Sequence, residues 1–172
     1  MDFTTIDYLK DGNPRQKSAY QALQRRKIFD ILKPFDPLLV GTIPIAIDIE
    51  SSDLDIICCY TDLDYFIRIV TENFKQELNF NHKLSLQNGK KIALFRFQLD
   101  GFEVELYAQD TPTLQQNAYR HMLIEARLLN EHGENFRQEI IRLKQKGYKT
   151  EPAFAHLLGI TGDPYEVLLR ME

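Results

Sequence analysis

The chain has 172 residues, 44% of them hydrophobic and 27% charged, with 21 Lys and Arg against 25 Asp and Glu for a net charge of −4. That composition excludes disordered, collagen-like and coiled-coil classes, and the length is that of one ordinary domain able to bury a core without staples. A net acidic chain is poorly suited to gripping long nucleic acid, where Lys and Arg must neutralise phosphates, and no apolar run reaches the roughly 18 residues of a membrane span.

The opening residues 1–12 have neither the basic start nor the apolar centre of a secretory leader. Asn13-Pro14 reads as a helix cap followed by the first helical position, and the helix is expected to run from 14 to Lys33, where Pro34 stops it. Residues 37–40 form a short buried strand ending at Gly41-Thr42, and 43–52 a loop or a broken turn of helix. Residues 53–60 form a second strand. Its neighbours Cys58 and Cys59 point to opposite faces and are expected as reduced thiols in a cytoplasmic protein. A helix over 62–79 carries Leu63, Phe66, Ile67, Val70 and Phe74 at helical spacing. Extended runs at 81–87, 90–98 and 101–108 are joined by Asn88-Gly89 and Asp100-Gly101, both hairpin signals. The rest is helical: 112–131 closed near Gly133, 134–146 ending at Gly147, a short helix capped by Thr150 and ending at Gly159, and a last one capped by Asp163-Pro164. The order predicts an α+β fold, a mixed sheet flanked by helices with a C-terminal helical cap, within a single domain over 1–172.

Asp53 and Asp55 stand two apart at the start of an apolar strand, so both carboxylates share one face. Such a pair repels unless a cation lies between, and hard divalent ions such as Mg²⁺ or Mn²⁺ suit all-oxygen ligands; a polar turn before a strand gives the same pattern. Gly41 permits close approach of backbone N–H groups to an anion, and Thr42 adds a hydroxyl; a simple strand-exit glycine is the plainer alternative. In the run 102–106, Glu103 and Glu105 share the face opposite Phe102, Val104 and Leu106. They lie either on the wet face of an edge strand or beside the Asp pair.

Gly-Thr, the gap 43–52, Asp-x-Asp and a later strand acid together resemble the nucleotidyltransferase superfamily, which includes the DNA polymerase beta type and the minimal nucleotidyltransferases. Gly41 and Thr42 match the Gly-Ser pair, with Thr keeping the hydroxyl. Asp53 and Asp55 match the acid pair, and Glu105 is the first choice for the third acid with Glu103 second, strand register deciding. Gly41-Thr42-Ile43-Pro44-Ile45, Ser52-Asp53-Leu54-Asp55-Ile56, Gln116 to Met122 and Gly162-Asp163-Pro164-Tyr165 resemble more closely a bacterial family of unknown function within that superfamily.

The resemblance implies transfer of a nucleoside monophosphate from a nucleoside triphosphate to an acceptor hydroxyl. Asp53, Asp55 and Glu105 would hold Mg²⁺ or Mn²⁺, and Gly41, Thr42 and Ser52 would lie on the phosphate side. Small size and acidic charge favour a small-molecule or protein acceptor over a polynucleotide. A noncatalytic, antitoxin-like binder of nucleotide or partner is the main alternative, and a two-metal phosphoester hydrolase another. On the helix over 112–131, Leu114, Ala118, Met122, Leu128 and Leu129 gather on one side, with Gln116 and Arg120 on the other. Asn117, His121 and Glu125 fall among the apolar residues. They are expected either as a satisfied buried set, with His121 and Glu125 bonded one turn apart, or as a substrate-facing strip. The run Arg142, Lys144, Lys146 reads as a solvated face, and Arg96 as a structural partner of Glu103 or Glu105 ahead of a contact to a phosphate.

Overall fold

A computed structural model describes residues 1–87 and 89–172, so the Asn88-Gly89 turn falls, at Asn88, outside the described residues. Five strands form one mixed sheet in the order β1-β2-β5-β4-β3: β1 (Leu38–Val40), β2 (Leu54–Cys59), β3 (Asn81–Gln87), β4 (Lys90–Leu99) and β5 (Phe102–Gln109). All neighbouring pairs are antiparallel except β2 with β5. A parallel pair requires a long crossover; here it contains helix α3 (Leu63–Phe74) and the β3–β4 pair. The β4–β5 turn has Asp100 at φ 49° and Gly101 at φ 86°. That pair of left-handed residues matches the twist of a tight hairpin.

Strand alternation sends alternate residues to two different cores. Leu39, Leu54, Ile56, Cys58, Phe95, Phe97, Val104 and Leu106 face one layer of helices, where Leu23, Phe66, Val70 and Phe74 meet them. Phe74 stacks on Phe97 with ring centroids 5.0 Å apart. Leu38, Val40 and Ile57 face the opposite way, against Met122, Leu128, Ile140, Phe154 and Leu168 from the C-terminal helices. The second core covers the β1 end of its face, and Asp55, Glu105 and Tyr107 line a cleft farther along. Both cysteines are free, Cys58 buried and Cys59 partly so.

The helices depart from expectation in instructive ways. Helix α1 (Pro14–Arg25) starts on a full capping box between Asn13 and Gln16, but stops well short of Lys33. Lys27 adopts φ 53°, and a separate helix α2 (Ile28–Leu32) and a 3-10 turn at Lys33–Phe35 follow, so that Ile28, Leu32 and Phe35 all reach the core. A 3-10 helix at Asp7–Asp11 precedes α1 and buries Leu9. Helix α3 ends at Phe74 rather than at 79, because Phe74 is its last core residue and residues 75–80 turn the chain into β3. The expected helix over 112–131 begins instead with a 3-10 turn, Thr113–Gln115. Helix α4 (Asn117–Gln145) then breaks at Gly133, whose φ 78° and ψ −170° are not helical, so two helical segments meet there at a kink, as the sequence predicts. Leu114 is exposed, whereas Gln116 is buried rather than outward, its amide donating to the Cys58 carbonyl at 3.0 Å and the Thr111 carbonyl at 2.9 Å. The bond to Cys58 fastens the start of α4 to β2, and the bond to Thr111 closes the turn that leads into the helix. Helix α5 (Thr150–Leu158) is preceded by Lys149 with no side-chain cap, so Thr150 is its first residue and not its cap. Asp163 does cap α6 (Pro164–Leu169), accepting from the Tyr165 N–H. Among the described residues no helix is long and apolar enough to cross a membrane.

The capping box at α1 is separable from the core. Asn13→Ala orphans the Gln16 N–H and is expected to lower stability by about 1 kcal/mol in urea unfolding, with the denaturant slope unchanged.

Candidate active site

Sheet register brings the acids together. In the parallel pair Asp55 lies directly opposite Glu105, and in the next pair Glu105 lies opposite Arg96. Asp53, on the residue before β2, points to the same side. Arg96 Nε donates to one carboxylate oxygen of Glu105 at 2.8 Å, and its Nη2 to the same oxygen. Glu103 lies farther out, 3.8 Å from Arg96, half exposed and outside the cleft that Asp53, Asp55 and Glu105 line. Arg96 thus joins both glutamates, and Glu105 is the strand acid that faces the aspartates.

Asp55 is the electrostatic focus. Burial first, then the neighbouring charges of Asp53 and Glu105, push its carboxyl up to about 8. Acids crowded in this way are stabilised in charged form by a cation, and an all-oxygen donor set suits a hard divalent ion. Asp53 and Asp55 fit that requirement, with Glu105 beside them and already held by Arg96. Among the described residues no three His, Cys, Asp or Glu side chains are drawn together as a preformed cage.

Gly41 has φ +81°, and a Cβ there would meet Asp55 Oδ2 at 2.3 Å. Backbone and carboxylate approach so closely that only glycine fits, and this holds the strand exit against the acid pair. The loop 43–52 is tied from both sides. Thr42 Oγ1 bonds Ser52 Oγ at 3.2 Å, and Ser52 Oγ accepts from the Ile49 N–H at 2.9 Å. Gln16 of α1 donates to the Ile43 carbonyl at 2.9 Å, Arg15 to the Ser52 carbonyl at 3.1 Å, and Arg137 of α4 to the Ile45 carbonyl. The loop's carbonyls are thereby turned toward the helices, while Gly41, Thr42 and Ser52 line the cleft.

The cleft is a cavity of about 1020 Å³ between the sheet and the C-terminal helices. Asn117, His121 and Glu125 lie on its helical wall, so this strip of α4 and the sheet acids line one cavity. Asn117 is exposed, whereas His121 is 7% and Glu125 3% exposed. His121 and Glu125 are not bonded to each other. His121 Nε2 lies 2.9 Å from the Tyr165 carbonyl, which only accepts, so that nitrogen carries a proton. Its Nδ1 faces Glu151 at 3.5 Å. Glu125 Oε1 is buried with no partner, and burial together with the Glu151 charge holds its carboxyl well above the ordinary range.

Lys144 departs from the expected solvated basic run, whose other members, Arg142 and Lys146, are exposed. It is 7% exposed, donates to the Ile47 carbonyl at 2.8 Å and lines the cavity. Burial pushes its ammonium down to about 8, against the opposing pull of Glu125, Asp48, Asp55 and Asp53. The signal was present in the sequence: Ile140, Leu143 and Lys144 stand at i, i+3 and i+4, so Lys144 shares the apolar face of α4.

Two outcomes follow from the crowding around Asp55. Its native pKa is raised, so the folded state binds more protons than the unfolded chain from about pH 4 to about pH 8, and this group's contribution to stability falls across that window as pH rises. Asp55→Asn is expected to flatten that fall in metal-free urea titrations and to stabilise the chain above pH 7. Gly41→Ala is expected to cost about 1–3 kcal/mol, read in the same titrations, through a strained φ and displacement of Asp55.

A family model described as Domain of unknown function (DUF4269) matches residues 21–171, and the chain belongs to that family. No curated protein matches it in sequence. Among solved structures, the Cid1 poly(U) polymerase with MgGTP bound superposes with a TM-score of 0.59 at 12% identity, over 89% of this chain and 53% of that one. A chain of the GLD-2/RNP-8 complex gives 0.55 at 18% identity, covering 88% and 60%. The polymerase core of TRAMP, an RNA surveillance complex, gives 0.55 at 11%, covering 91% and 49%. The shared fold is that of the nucleotidyltransferases, and the chain spans between about half and three-fifths of those structures' length.

Proposed function

We propose that the chain is a divalent-metal-dependent nucleotidyltransferase that moves a nucleoside monophosphate from a nucleoside triphosphate to a hydroxyl of a small molecule or protein. The observation that carries this reading is the placement of Asp53, Asp55 and Glu105 on one wall of a cavity, with Gly41 packed against Asp55. The nucleotidyltransferase fold supports it, as does the cavity volume of about 1020 Å³, which accommodates a nucleotide and an acceptor together.

In this reading the acceptor oxygen forms a bond to the α-phosphorus, the bond to the pyrophosphate oxygen breaks, and pyrophosphate leaves. Asp53 and Asp55 would hold Mg²⁺ or Mn²⁺, which supplies charge neutralisation at the phosphates. Glu105, whose position is fixed by Arg96, receives the acceptor's proton directly or through water. Thr42 and Ser52 orient phosphate oxygens from the loop side. Lys144 contributes a positive charge on the opposite wall. Arg96 also favours a second reading, a noncatalytic nucleotide binder, because its grip on Glu105 competes with metal ligation by that acid.

Thermal melts with each of the four ribonucleoside triphosphates and Mn²⁺ test nucleotide binding; at least one is expected to raise the melting temperature by mass action. Asp53→Asn and Asp55→Asn should each abolish the rise. Mass spectrometry of products separates transfer from hydrolysis, and in an active chain either substitution should lower turnover by about 10²–10³-fold. Binding without any product supports the noncatalytic reading, and absence of binding removes both.

A further inference from the structure

We propose that Glu125 and Lys144, on the helical wall of the cavity, form a subsite for the hydroxyl groups of a small polyol, which is the acceptor class of this chain. The inference rests on the transfer reading above and names its acceptor.

Glu125 lines the cavity, and its Oε1 is buried with no hydrogen-bond partner. An orphaned buried carboxyl oxygen is costly unless something donates to it. The protein offers nothing: His121 is turned to the Tyr165 carbonyl and Glu151, and Lys144 spends one of its three N–H donors on the Ile47 carbonyl. Lys144 and Glu125 both stand on α4 and line the same cavity, with no hydrogen bond between them. A buried acceptor oxygen and a buried amine with donors to spare therefore face one space.

The chemistry of the occupant follows from that pairing. It must donate to Glu125 and accept from Lys144. A hydroxyl does both through one atom. A phosphate only accepts, so it would leave Glu125 Oε1 without a donor and would lie beside the Glu151 carboxyl, which counts against an RNA backbone on this wall. An ammonium only donates and would face Lys144. Glu151, with a side chain 20% exposed, and exposed Asn117 extend the same wall toward the cavity mouth, so a second hydroxyl on the same molecule finds further partners. A compound with several hydroxyl groups can thus be held by some of them while another is presented to the sheet acids.

Saturation-transfer NMR on the intact chain with glycerol, ribitol, glucose and myo-inositol provides the test, with 1,2-propanediol, putrescine and a short oligoadenylate as comparators. At least one polyol is expected to give contacts that the diol, amine and oligonucleotide do not, and Glu125→Leu, which removes both carboxyl oxygens, is expected to weaken its binding by about tenfold. Circular dichroism confirms that the variant is folded, and the triphosphate-dependent rise in melting temperature should be unchanged. With an active chain, the same polyol should gain one nucleoside monophosphate by mass spectrometry. The inference is overturned if no polyol binds, if the amine or the oligoadenylate binds in preference, or if Glu125→Leu leaves polyol binding intact. It is also overturned if that substitution weakens triphosphate binding instead, which would assign the subsite to the nucleotide. Failure of all triphosphates to bind the unaltered chain would strike the transfer reading, whatever the polyols do.

Discussion

The parallel pairing of β2 with β5 is the constraint on which the rest of the molecule turns. It sets Asp55 opposite Glu105 and Leu54 opposite Val104, so one register decides both the acid wall and the apolar face beneath it. A slip of a single residue would send Asp55 into the core with Phe95 and Phe97 and expose Leu54 and Ile56. The burial of those apolar side chains therefore fixes the geometry of the polar ones. The crossover the pairing requires also places β4 beside β5 and brings Arg96 opposite Glu105. One end of the acid row is thus neutralised and the Asp pair is left to carry the repulsion.

The two halves of the chain meet over this face through polar contacts as well as through the second core. Gln116 bonds the Cys58 carbonyl, and Lys144 and Arg137 bond carbonyls of the loop between Gly41 and Asp53. Each is a donor from the helical half reaching a backbone acceptor in the sheet half. The loop between the Gly-Thr pair and the Asp pair is thus shaped by both α1 and α4. Its conformation, including Ala46 at φ 56°, is set by those distant residues and by its own short bonds.

The site combines opposite electrostatic problems within one cavity. Burial and like charges push the carboxyls of Asp55 and Glu125 up, whereas burial pushes the Lys144 ammonium down. Desolvation is the first cause in all three. The cavity's own walls therefore hold groups whose charged forms await partners, the arrangement expected where ligands supply the missing charges and hydrogen bonds.

Much of this was legible in the sequence. Alternation around Asp53 and Asp55 placed both on one face, Asp100-Gly101 marked its hairpin, and Asn13 its cap, because each depends on neighbours within a few residues. The choice between Glu103 and Glu105 was not, since only pairing with a strand some fifty residues away selects one. Helix α1 was read too long because its propensity continues to Lys33, whereas the core needs Ile28 and Leu32 redirected by a left-handed Lys27. The burial of Lys144 was visible only as a lysine on an apolar face; its neighbours Ile47 and Glu125 come from other parts of the chain. Local periodicity settled which residues share a face. Tertiary structure alone decided which faces meet, because that depends on the register of the parallel pair and on packing between segments far apart in sequence.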